Sequence, residues 1–101
     1  MRRLPVHLSA EALNDIASIR SHLLREAGPA VSSRVVGRIR KKLAGVERMP
    51  RTGSLRPEFG ENVRFHVSGS YVIYVEVRED AVEFLRILHA AQDRDAIMRK
   101  D

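Results

Sequence analysis

The chain has no cysteine and no tryptophan. Without thiols it can hold neither a disulfide framework nor a thiolate zinc site. Aromatic residues make up only 5% of it, two tyrosines and three phenylalanines. They are too few, and too core-like in their apolar settings, for a base-stacking platform. Long apolar runs are missing as well. The longest is Tyr71 to Val75, far short of a membrane span. The start, Met1-Arg2-Arg3-Leu4-Pro5, has basic residues but no apolar stretch behind them, which argues against a secretory signal. The P-loop, G-x-G-x-x-G, G-x-S-x-G and H-E-x-x-H signatures are all absent. His7, His22, His66 and His89 show no metal-ligand spacing, so neither metal nor cofactor is expected.

What is present suits one small domain. At 101 residues and 44% hydrophobic, the chain can build a single modest core over 1–101. The net charge of +5 is unevenly spread. Residues 1–60 carry a net +7 and residues 61–101 a net −2. Between Arg34 and Arg56 eight basic residues face Glu47 alone. Fifteen of the 18 basic residues are arginine, the side chain that grips carboxylate or phosphate through two parallel bonds. The excess reads either as a solvated face or as a surface for an acidic protein or nucleic acid.

Periodicity orders the elements. Leu4, Val6 and Leu8 alternate with Pro5 and His7, as in a short edge strand. Ser9 is placed as an N-cap with Glu11 in the first turn behind it. Ala12, Ile16, Ile19 and Leu23 then recur at helical spacing, with Leu13, Ala17 and Leu24 widening the stripe. Gly28-Pro29 ends this helix and begins the next, expected over about Pro29 to Arg48. Its Val36, Ile39, Leu43 and Val46 lie nearly opposite Arg34, Arg38, Lys41 and Arg48. Gly37 and Gly45 inside it either admit a close neighbour or are simply tolerated. An irregular stretch from Met49 to Gly60 follows. Strands are then expected over Val63–Ser68, Tyr71–Arg78 and Val82–His89, before a polar tail from Ala90 with about one helical turn. The order is β-α-α-β-β-β: an α+β domain with a helical hairpin on one face of a small antiparallel sheet.

Some polar residues fall in these strands. Arg64 and His66 share a side of theirs. By strict alternation Arg86 shares a side with Val82, Phe84 and Leu88, and His89 lies opposite with Leu85 and Ile87. Arg86 and His89 then meet in one cleft only across a bulge, or if the strand ends before His89. A buried Arg86 would need carbonyls or a carboxylate such as Asp93 or Glu83.

Five segments in this order resemble the RelE/ParE superfamily of bacterial toxins, and its ParE branch in particular. They are Leu8-Ser9-Ala10-Glu11-Ala12 leading into Asp15-Ile16 and Ile19, then Pro50-Arg51-Thr52-Gly53, then Val63-Arg64. Gly69-Ser70-Tyr71-Val72-Ile73-Tyr74 and Leu85-Arg86-Ile87-Leu88-His89-Ala90-Ala91-Gln92-Asp93 complete the set. The last segment is the most specific.

The resemblance implies a cytoplasmic bacterial toxin of a type II toxin–antitoxin system, neutralised by an acidic ParD-like antitoxin. An antitoxin helix would lie along the helical hairpin, and Arg34, Arg38, Lys41 and Arg48 are its candidate contacts. ParE-like members inhibit DNA gyrase and have no recognised catalytic site. On that reading Arg64, His66, Gln92, Asp93, Arg94 and Arg99 are the candidate target contacts. RelE-like members instead cleave mRNA on the ribosome with basic residues on the sheet. At the matching places this chain has His66, Ser68 and Val72. A ribonuclease would have to use Arg64, His66, Arg86 and His89. Outside both lie a plain basic nucleic-acid-binding module and an inactive toxin. Neither a membrane nor sequence-specific nucleic acid is an expected partner.

Overall fold

Ser9 sets the entry to the first helix. Its hydroxyl accepts from the Ala12 N–H at 3.0 Å and donates to the Leu85 carbonyl at 2.8 Å. The cap thus satisfies a free helix donor and ties the helix start to a distant strand. These contacts come from a computed structural model that describes residues 3–99. Met1 and Arg2 of the basic start, and Lys100 and Asp101 of the tail, lie outside the described residues.

The chain runs β1 (Val6–Leu8), α1 (Ala10–Ala27), α2 (Pro29–Arg48), β2 (Ser54–Leu55), β3 (Val63–Ser68), β4 (Tyr71–Val77), β5 (Val82–His89) and α3 (Arg94–Arg99). Short 3-10 turns at Pro50–Thr52 and Pro57–Phe59 flank β2. Gly28, at φ 91°, takes the chain from α1 to α2, and Pro29 opens α2. The sheet order is β1-β5-β4-β3-β2. The α+β architecture and the order of the six expected elements hold. β1 joins β5 in parallel, so the sheet is mixed rather than wholly antiparallel. The irregular stretch contributes β2, two residues paired with Phe65 and Arg64 of β3.

The helical hairpin covers one face of the sheet. Ala12, Ile16, Val36, Ile39 and Leu43 meet Ile73, Val75, Phe84 and Ile87 there. On the other face Val63, Val72, Tyr74 and Leu88 form a smaller cluster under Phe59, Phe65, Ile97 and Met98. The tail is therefore not merely polar: α3 returns and roofs the second face.

Two expectations about packing are corrected. Leu13, Ala17 and Leu24 do not widen the buried stripe of α1. All three are exposed, Leu13 by 56% and Leu24 by 46%. They sit roughly 60–100° around the helix beyond the arc that the sheet covers. The strict alternation along β5 also fails, because the pairing with β4 slips. Val75 faces Phe84 and Tyr74 faces Arg86, which leaves Leu85 as an extra residue. Val82 and Phe84 consequently lie on the helix side, while Arg86 and Leu88 lie on the other.

Candidate functional site

The bulge falls where β1 ends. Leu8 is the last β1 residue paired with β5, and the Ser9 N–H donates to Phe84 O at 2.9 Å. Beyond this point α1 takes over the edge of β5. The carboxylate of Asp15, 8% exposed, accepts the Ile87 N–H at 2.9 Å. It also accepts two parallel bonds from Arg86, Nε and one terminal nitrogen, each at 2.8 Å. Neither Asp93 nor Glu83 is the partner of Arg86. These hydrogen bonds raise the Arg86 pKa against the pull of desolvation. The guanidinium is a structural tie between helix and strand.

Arg64 and His66 share a side, as expected, but they are not exposed target contacts. They lie opposite Val75 and Ile73, on the helix-covered face. Arg64 is half-buried and donates to Gly53 O at 2.7 Å. His66 is 8% exposed. Burial, and then the charges of Lys42 and Arg64, push its pKa below the usual 6.5, against a hydrogen bond to the Pro50 backbone. Pro50 has no N–H, so its carbonyl accepts, and Nε2 is left buried without a partner. A ring that resists protonation stabilises the fold only in its neutral form. The unfolded chain binds a proton below about pH 6.5 while the folded chain does not. We predict that stability is full above that pH and declines as pH falls toward the folded-state value. Denaturation midpoints between pH 5 and 7.5 should drop more steeply for the native chain than for His66→Gln. Parallel slopes would refute it.

His89 caps the far end of β5. It pairs in register with Tyr71 and meets that ring edge-on at 5.2 Å. Its Nδ1 accepts the Ala91 N–H at 3.0 Å, so in the neutral ring the proton is on Nε2. The solvent-facing nitrogen is then a donor and not a base. His89 and Arg86 are three residues apart with no bulge between them, and they point to opposite faces. The four residues that a ribonuclease would need therefore form no common site.

The exit segment is ordered by its own side chains. Gln92 Oε1 accepts the His89 N–H at 2.8 Å, and Asp93 accepts the Ala96 N–H at 3.2 Å as a cap on α3. Arg94 donates to the Tyr74 hydroxyl at 3.2 Å, while Arg99 pairs with Asp95 at 2.9 Å. Gln92, Asp93 and Arg94 line one cavity with Arg56, Phe59 and Tyr74, of about 350 Å³. Among the expected target contacts this trio is brought together.

Two further surfaces lie on the hairpin. On its outer side a groove of about 340 Å³ separates α1 from α2, lined by Arg20, Leu24, Ser33, Gly37 and Arg40. A Cβ on Gly37 would meet nothing within 4 Å, and the same holds at Gly45. Within this chain neither glycine admits a close neighbour. The groove's two arginines, Arg20 and Arg40, escaped the sequence reading, which took the arginines opposite the core. Arg34, Arg38, Lys41 and Arg48 are all exposed but do not line that groove. Arg38 and Lys41 instead border a cleft against the β3–β4 turn, together with Lys42, Val67, Ser68 and Gly69.

Among the described residues no helix is long and apolar enough to cross a membrane. No curated protein matches the sequence. A chain of the chromosomal ParDE TA system from P. aeruginosa has a similar structure, with a TM-score of 0.75 at 19% identity. The match covers 86% of this chain and 96% of that one, and the fold is thus RelE/ParE-like. The family model described as "ParE toxin of type II toxin-antitoxin system, parDE" matches residues 6–94. With nearly the whole chain matched, the protein belongs to the ParE toxin family of type II toxin–antitoxin systems.

Proposed function

We propose that this toxin acts by binding DNA gyrase, not by cutting RNA, and that a ParD-like antitoxin neutralises it. The observation that carries the non-catalytic reading is the dispersal of the acid–base candidates. Arg64 and His66 are under α2, Arg86 is held by Asp15 on the other face, and His89, on the helix side, offers only a donor at the far end of β5. A ribonuclease needs such groups within reach of one phosphate. Family membership supports gyrase as the target, and the cavity lined by Gln92, Asp93 and Arg94 is the surface we assign to it. The test is purified toxin in two assays: gyrase supercoiling with cleaved-DNA accumulation, and mRNA cleavage on translating ribosomes. Trapped cleaved DNA with intact mRNA is the expected result. Codon-linked mRNA cuts with unaffected gyrase would overturn the reading.

The hairpin groove suits the antitoxin. Its apolar lip and shallow, side-chain-free floor at Gly37 fit an amphipathic helix, with Arg20 and Arg40 placed for carboxylates. Arg34, Arg38, Lys41 and Arg48 lie outside the groove and act at longer range, speeding association with an acidic chain. Leu24→Glu should weaken antitoxin binding at least 10-fold, since one buried leucine contributes about 1.5–3 kcal/mol. Its side chain is exposed in the free toxin, so the melting temperature should change little. Calorimetric titration with the antitoxin and a thermal melt of the free toxin read the two points, and unchanged affinity would exclude the groove.

A further inference from the structure

The flank of α2 that faces the β3–β4 turn serves antitoxin association only at long range, and no direct contact has yet been assigned to it. Arg34, Arg38, Lys41 and Lys42 recur at steps of four, three and one, which keeps them on one side of the helix. All four are exposed, and among the described residues none joins a salt bridge or a hydrogen bond. Among the described residues no carboxylate oxygen lies within salt-bridge distance of any of them. Residues 27–46 contain no Asp or Glu, and neither do residues 62–75 across the cleft. Arg38, Lys41 and Lys42 converge on that cleft, about 340 Å³ between α2 and the turn at Val67, Ser68 and Gly69. Arg38 also reaches the adjoining hollow at Ser70 and Tyr71. The charge is concentrated enough for Lys42 to contribute to the lowered His66 pKa beneath it.

The chemistry of the flank selects its partner. A stable protein interface needs apolar or aromatic anchors at its centre. Here the only exposed large apolar side chain at the cleft is Val67, at 53%. The anchors are on the hairpin groove instead. Single-stranded nucleic acid needs exposed rings to stack on. The one ring beside the cleft, Tyr71, is half-buried against His89. What remains is a straight row of cations on a rigid helix, about 12 Å from Arg34 to Lys42 at 1.5 Å per residue. Such a row, with rises of about 6, 4.5 and 1.5 Å, is long enough to reach several phosphates of a duplex, each strand of which presents one charge per roughly 3.4 Å of axis. We infer that the flank formed by Arg34, Arg38, Lys41 and Lys42 binds the phosphate backbone of duplex DNA without reading its sequence. The contact is electrostatic and fixes position alone. It would hold the toxin on the DNA substrate of its target, but it is independent of that target.

Fluorescence anisotropy on a labelled 20-bp duplex, with toxin alone and KCl from 50 to 200 mM, tests this. Four phosphate contacts give a log–log salt slope near −3.6, at about −0.9 per contact. The triple variant Arg38→Gln, Lys41→Gln, Lys42→Gln should bring the slope near −1 and weaken binding at least 30-fold at 50 mM. Arg20→Gln with Arg40→Gln, in the hairpin groove, should leave the slope unchanged. Equal weakening by the groove variants would overturn the assignment, because net charge alone would then explain the binding. Tighter binding of a single-stranded RNA 20-mer would overturn it too, as would tighter binding of polyglutamate than of the duplex at matched charge concentration. No gyrase is present, so failure here leaves the gyrase reading standing.

Discussion

Asp15→Ala should melt roughly 12–24 °C below the native chain, the equivalent of about 3 kcal/mol in a domain of this size. The carboxylate accepts three bonds, two from Arg86 and one from the Ile87 N–H. Its removal strands a half-buried guanidinium and a buried backbone donor together. An unsatisfied buried donor costs about 1–3 kcal/mol by itself, and an unpaired buried charge costs more. Asp15→Asn keeps the shape without the charge and should fall between the two. The double variant Asp15→Leu, Arg86→Leu should recover part of the loss, since no buried charge is then left alone. Thermal melts of these proteins, with Asp15→Leu and Arg86→Leu alone to complete the cycle, decide it. Strictly additive losses in the double variant would show that the two side chains do not act as a pair.

Gly53→Ala should lower stability by about 2–3 kcal/mol, at the upper end for overpacking. Its backbone, at φ −75°, is open to any residue, so conformational freedom is not the reason for glycine. Space is. A Cβ there would come within 2.5 Å of His66 Nε2 and 2.6 Å of Phe65 O. To make room, β2 must leave the edge of β3 or His66 must swing out from under α2. Either movement wets the imidazole. In the variant the His66 resonance should therefore titrate closer to 6.5, the pH-dependent loss of stability should flatten, and the melting temperature should fall. Gly37→Ala and Gly45→Ala, where no neighbour lies within 4 Å, should instead gain about 0.5–1 kcal/mol each from helix propensity. Equal effects at all three glycines would show that close approach is not what Gly53 provides.

Local chemistry made much of the fold legible. Ser9 as a cap, Gly28-Pro29 as a joint, and the β3–β4 and β4–β5 turns are short-range signals, and each lies where the residues place it. Side assignment was legible only as far as alternation is regular. One extra residue at Leu85 reversed the faces of Val82 and Phe84 relative to Arg86. Nothing local announces that bulge, because its cause, the handover from β1 to α1, lies more than seventy residues upstream. For the same reason Asp15 was not legible as the partner of Arg86. Leu13 and Leu24 failed differently: an apolar stripe looks alike whether its own sheet or another protein covers it. His66 looked like a surface residue because its polar strand side suggested solvent. The side is in fact roofed by a helix whose placement depends on tertiary packing.

The junction at Ser9, Asp15 and β5 also bears on how the protein is made. Its bonds join residues 71 to 76 positions apart, and the strand involved is the last of the sheet. At about 5–20 residues per second, a nascent chain waits roughly 4–15 s between the synthesis of α1 and that of its docking edge. In that interval α1 and α2 can pair, yet the sheet that seats them does not exist. Premature termination anywhere before Val82 leaves that hairpin without its central support. Translation must pass through β5 before α1 meets the strand edge on which it docks.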